Sequence, residues 1–161
     1  MRVMFPMFAA FLLAITSSAR TDAPTVTVDW CFAKGSHHHA ATITIKNVSG
    51  QELRIQHPDN RQAIAFVVMD EHGNVIKPEG VAKVDPRHQD IVLKLGETFE
   101  YTMRQSTELA QEKGLSLPFL TGTGLFAYNL KAGNKYRVTV IYRPYADRAG
   151  VASAEQVMTF E

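Results

Sequence analysis

The chain is 161 residues long, with 17 basic and 16 acidic side chains and a formal net charge of +1. So even a balance excludes the basic footprint of a nucleic-acid binder and disfavours attachment to anionic membrane surfaces. A single cysteine, Cys31, excludes an intramolecular disulfide, and the length suits one domain able to bury a core without staples.

The N-terminus opens with a charge at Arg2, an apolar run from Val3 to Ile15, and the small and polar residues Thr16-Ser17-Ser18-Ala19. Those are the three parts of a secretory signal peptide, with cleavage expected after Ala19. The apolar run falls short of the ~20 residues a membrane span needs. We therefore expect a signal peptide over residues 1–19, a single domain over 20–161, a periplasmic or secreted product, and no integral membrane segment after processing. No cysteine lies just beyond the apolar run, so no lipid anchor is expected.

Alternation dominates the remainder of the chain. In "TVTVDWCF", Val26, Val28, Trp30 and Phe32 share one face, and Thr27, Asp29 and Cys31 the other. "ATITIKN" places Ile43 and Ile45 inward, "NVSGQ" reads as a turn, and "ELRIQH" alternates through Leu53 and Ile55. "AIAFVVMD" is apolar on both faces, as in a central strand covered on both sides, and "DEHGNVI" suggests a hairpin. Lys77 to Gln89, with two prolines and no period, reads as loop or wandering edge. "DIVLKLGETFEYTMR" reads as two strands meeting at Gly96. "STELAQEKG" is the one helix candidate, with Ser106 or Thr107 as cap and Gly114 as stop. "LSLPFLTGTG" reads as an unusually apolar loop. "LFAYNL", "NKYRVTVIYR" and "EQVMTF" complete the strands, the second with Tyr136, Val138, Val140 and Tyr142 on one face. About eight strands with turns between them point to an all-β antiparallel sandwich with one short helix.

"NLKAGNKYRVTVIYR" resembles the penultimate-strand region of immunoglobulin-like and fibronectin-type-III-like sandwiches. The resemblance places Tyr136 as a tyrosine corner, its hydroxyl bonded to backbone just upstream. It places Val138 where antibody domains carry a cysteine, and Trp30 early in the first strand, unlike antibody domains. "ITIKNVSGQELRI" followed by "LKLGETFEYTM" is similar to bacterial BsuPI-type proteinase-inhibitor domains, which share an Asn-x-Ser turn and a Leu-x-x-Gly-Glu corner. Together these resemblances span Thr25 to Glu161 and imply a binding module more readily than an enzyme.

Chemistry-bearing residues are few. His37-His38-His39 could supply copper or zinc ligands, with His37 and His39 on one side of an extended strand and Cys31 nearby. A solvated turn explains the same residues, and the spaced ligand pairs of zinc motifs are missing. "HPDNR" (57–61) and "DPRHQD" (85–90) pair His with Asp, the base-and-orienter combination of hydrolases. No serine elbow accompanies them and Cys31 has no catalytic context, so no catalytic residue is expected. Asn47-Val48-Ser49 fits a glycosylation acceptor. The apolar stretch Leu115 to Gly124 either covers a sheet edge or meets a partner. The expected function is a non-enzymatic protein-binding module of inhibitor, immunity or envelope-assembly type. Its contact residues would be Leu117, Phe119, Leu120, Tyr142, Arg143 and Tyr145, with Tyr136 and Trp30 structural. No cofactor is expected; the alternative is a periplasmic copper- or zinc-binding protein using His37, His39 and Cys31.

Overall fold

The structure, a computed structural model, describes residues 25–33, 40–60, 62–79, 88–105, 117–121 and 124–159. The signal-peptide segment, His37 and His39, and the helix candidate at 106–114 lie outside the described residues.

Every regular element described is a β-strand, and every pairing is antiparallel. One five-stranded sheet runs β1 (Val26–Ala33), β2 (Ala40–Asn47), β7 (Thr98–Gln105), β8 (Leu117–Thr121) and β9 (Gly124–Tyr128). A second runs β11 (Val151–Ala152), β10 (Lys135–Tyr142), β4 (Ile64–Met69) and β5 (Val75–Ile76), with β12 (Gln156–Thr159) also on β10. A two-stranded ribbon joins β3 (Leu53–Gln56) to β6 (Asp90–Leu93).

Alternation explains which faces are buried. Val26, Val28 and Trp30 are buried while Thr27, Asp29 and Cys31 are exposed, and β10 buries Tyr136, Val138, Val140 and Tyr142 in strict succession. The buried faces of both sheets, with Leu53, Ile55 and Leu93 of the ribbon, feed one core. Phe66 of β4 links them: its ring meets Trp30 edge-on at 6.3 Å and Phe126 at 5.5 Å. On β4 only Ile64 and Val68 are fully buried, so the other face of this strand is half covered, less than its continuous apolar run implies.

Sheet edges are blunted by specific groups. Asp29 accepts the Trp30 N–H on edge strand β1 at 2.8 Å, and the Gln156 side-chain amide donates to the Trp30 carbonyl. On edge strand β9 the Ala127 carbonyl accepts the Glu79 N–H at 2.6 Å, so the chain leaving β5 in one sheet reaches the edge of the other.

Asn47 is a structural pin. It is fully buried, and its Nδ2 donates to the carbonyls of Gln51 (2.8 Å), Leu93 (3.0 Å) and Lys94 (3.0 Å). Its Oδ1 accepts from the Ser49 N–H and hydroxyl. Glu97 closes the opposite side, accepting the Lys94 N–H through its carboxylate. Gly96 makes this turn at φ 73°, a left-handed conformation that a side chain would oppose. The Asn-x-Ser turn and the Leu-x-x-Gly-Glu corner are thus one hydrogen-bonded unit. In the folded chain the Asn47 amide is enclosed and already bonded.

Two further departures concern elements. The described residues hold twelve strands, more than the eight or so expected, because short pieces such as β5 and β11 pair as well. The stretch read as an apolar loop instead forms β8 and the start of β9, paired from Leu117↔Tyr128 to Thr121↔Gly124. Pro118 is the register partner of Ala127 within that pairing.

Candidate functional site: a cleft beside the ribbon

The ribbon does not float free. Gln56 at the end of β3 receives the Tyr142 hydroxyl on its carbonyl, donates its N–H to Pro144 O at 2.9 Å, and donates its side-chain amide to Arg143 O at 2.5 Å. Arg143 N–H in turn donates to Ala63 O at 2.8 Å. Three bonds at one glutamine therefore fasten the ribbon to the end of β10.

A second fastening joins the two His/Asp clusters. Asn60 donates to Gln89 O at 2.7 Å and accepts the Gln89 N–H at 2.8 Å, while His57 N–H donates to Gln89 O. Between these fastenings lies an open cleft of about 320 Å³, lined by Arg54, Asn60, His88, Asp90, Tyr145 and Asp147 among others. Arg54 Nε stands 3.3 Å from Asp90 Oδ2 on one wall, an exposed ion pair. On the other side the guanidinium of Arg148 lies 4.8 Å over the Tyr145 ring. Tyr142 lies behind, its hydroxyl pushed up from its ordinary range by burial first, then by Tyr145 and Asp90.

Gly150 closes the loop that forms the outer wall. A Cβ there would stand 2.5 Å from Ile141 Cγ2 and 3.2 Å from both Arg143 Cγ and Tyr142 O. The methyl of a β-branched residue has little freedom to retreat. Gly150→Ala is therefore expected to destabilise by about 1–3 kcal/mol, read by urea unfolding, and to shift the amide resonances of 145–149.

Beside the cleft, His57 and Asp59 form no hydrolase pair. His57 Nδ1 accepts the Asp59 backbone N–H at 3.1 Å, so the neutral ring carries its hydrogen on Nε2. A general base oriented by a carboxylate needs the opposite arrangement, Nδ1–H to the acid and Nε2 bare. Asp59 instead accepts the Tyr101 hydroxyl, and His57 packs edge-on against Phe99 and Tyr101 at 5.5 and 5.8 Å. This cluster orders the turn after β3.

The expected contact residues divide. Tyr145 is half-buried and lines the cleft, and Arg143 is exposed and precedes the lining residue Pro144 without lining the cleft itself. Tyr142 is fully buried and bonded to Gln56, so it supports the cleft from within and offers no surface to a partner. Leu117, Phe119 and Leu120 belong to β8 in the other sheet, where Phe119 is the register partner of Phe126. Trp30 is buried, and the Tyr136 hydroxyl accepts the Lys131 N–H at 2.7 Å, five residues upstream. Cys31 is exposed on β1. Among the described residues no three His, Cys, Asp or Glu side chains gather in a way that could hold a metal ion, and no helix is long and apolar enough to cross a membrane. Periodicity and motifs do not single out Arg54, Asp147 or Arg148. The two His/Asp clusters and the expected contact residue Tyr145 point toward this place, but the cleft itself is assembled by bonds between distant segments.

No protein-family model matches the chain, and no curated protein matches it. Among solved structures it is similar to Bacteroides uniformis β-glucuronidase 2 covalently bound to cyclophellitol-6-carboxylate aziridine. That likeness has a TM-score of 0.38 and 12% identity, and covers 83% of this chain but 13% of that one. It carries no inference about fold or activity.

Proposed function

We propose that the chain is exported, folds as an immunoglobulin-like β-sandwich, and acts without catalysis by capturing a protein partner, as an inhibitor, immunity or envelope-assembly module does. The N-terminal charge, apolar run and small-residue site support export. Two antiparallel sheets sharing one core support the sandwich, and the Tyr136–Lys131 bond is the bond a tyrosine corner makes. The bonding of the Asn47 turn to the Leu93–Glu97 corner supports the likeness to BsuPI-type inhibitor domains.

The cleft itself is the strongest support for capture. Tyr145 with Arg148 stacked on it, ringed by exposed charges of both signs, stands on a loop anchored to the end of β10. Tyrosine and arginine are the residue types enriched where interfaces are anchored, and a braced loop loses little entropy on binding. A pull-down with the mature chain tests it: Tyr145→Ala should abolish capture while the fold is retained, at a cost of about 1–2 kcal/mol because Tyr145 packs partly against the core.

β8 is the second place to test. Phe119→Asp should likewise abolish capture with the fold retained if Leu117–Leu120 meets the partner. Loss of the fold, seen by circular dichroism, would assign the segment to the framework and leave Tyr145 and Arg143 as the contact residues.

A further inference from the structure

We propose that the cleft is a seat for a cationic side chain, an arginine or lysine carried by the partner polypeptide, with Tyr145 as its platform and Asp147 as its counter-charge. In the free protein Arg148 occupies that platform. The proposal rests on the binding-module reading only for the molecule that delivers the cation.

Charge accounting points to a cation. Arg54 and Asp90 face each other at 3.3 Å and cancel, leaving Asp147 as the unmatched carboxylate of the lining. Asp147 makes no ion pair among the described residues. The adjacent positive charge, on Arg148, is placed 4.8 Å over the Tyr145 ring. An aromatic face attracts a cation through its quadrupole, and a nearby carboxylate adds to that attraction. An incoming anion would face the carboxylate of Asp147, whereas the charge of Asp90 is already matched by Arg54.

The geometry also explains why Arg148 rather than solvent covers the ring. The Arg148 N–H donates to Tyr145 O at 3.4 Å, a tight turn that brings residue 148 back over residue 145. The turn thus carries its own occupant for the platform, and an arriving cation must displace it. Two substitutions therefore act in opposite directions. Removing the counter-charge weakens binding, and removing the internal occupant strengthens it.

The test is a titration of the ¹⁵N-labelled protein with Nα-acetyl-arginine amide, followed by amide resonances, with Nα-acetyl-glutamine amide and Nα-acetyl-glutamate amide as neutral and anionic controls. Saturable shifts at Tyr145, Asp147 and Arg148 are expected for the arginine compound and not for the controls. Asp147→Asn should weaken the effect about threefold, as an exposed charge pair does. Arg148→Ala should strengthen it about twofold, the scale of an exposed cation–π contact. Equal shifts with the neutral control, no saturable shift at these residues, or weaker binding by Arg148→Ala would each overturn the proposal. Failure here leaves partner capture by the pull-down untouched. Failure of capture with a positive titration would sink the binding-module reading and leave the cation seat standing.

Discussion

Asn47→Ala is expected to lower the unfolding free energy by about 3–5 kcal/mol, because it strands the buried Leu93 carbonyl and takes the donor from the part-buried carbonyls of Gln51 and Lys94. Asn47 is fully buried, and its amide is the donor that Leu93 O and Lys94 O share across the turn. Each buried acceptor left without a partner costs roughly 1–3 kcal/mol. The corner also holds the Asn47 N–H to Glu97 O at 2.9 Å and the Gly96 N–H to Asn47 O at 3.2 Å, so its loss loosens β2, β6 and β7 together. Asn47→Asp separates shape from chemistry. It keeps the volume and the acceptor for Ser49, but it turns a carboxylate toward three carbonyls. Guanidinium unfolding should find the aspartate variant at least as damaged as the alanine one. A loss within about 0.5 kcal/mol for either would mean that the corner re-forms without its donor.

Trp30→Ala should cost about 3–5 kcal/mol, chiefly through the void left against Phe66. Trp30 is 2% exposed and belongs to the group of residues that joins the two sheets. Trp30→Phe should cost much less. The indole Nε1 finds no hydrogen-bond acceptor among the described residues, so phenylalanine loses area but sheds an unsatisfied donor. Thermal unfolding followed by far-ultraviolet circular dichroism checks both. Because this is the chain's one tryptophan, the parent protein's emission should be blue-shifted when native and should move red as the core opens.

Tyr142 shows how local and global reasoning can part. Its place in the run Tyr136, Val138, Val140, Tyr142 already assigns it to the inner face, yet its chemistry makes it attractive as an interface anchor. Burial follows the period of two, and a phenol can be buried here because its hydroxyl reaches Gln56 O. β8 shows the reverse. A proline and a run of glycines and threonines look like loop, but pairing with "GLFAY" supplies the hydrogen bonds that make it a strand. Asn47 shows a third case: its triplet has the form of a modification signal, and only its carbonyl partners, 46 and 47 residues away, reveal a structural role.

The predominance of β-strands, and the inward side chains of the clearly alternating strands such as β1 and β10, were legible from the order of residues alone. Alternation is a local property, and a strand of period two with one apolar face has one way to bury it. Which strands are neighbours, where the edges are capped, and where a cleft opens emerged only from the assembled fold. Gln56 meets Arg143 across 87 residues and Asn60 meets Gln89 across 29, and nothing in the composition of either segment names its partner. Hydrogen-bond complementarity between distant backbones is satisfied only once those backbones meet, so the place where Tyr145 and Asp147 come to face Arg54 and Asp90 belongs to that assembly.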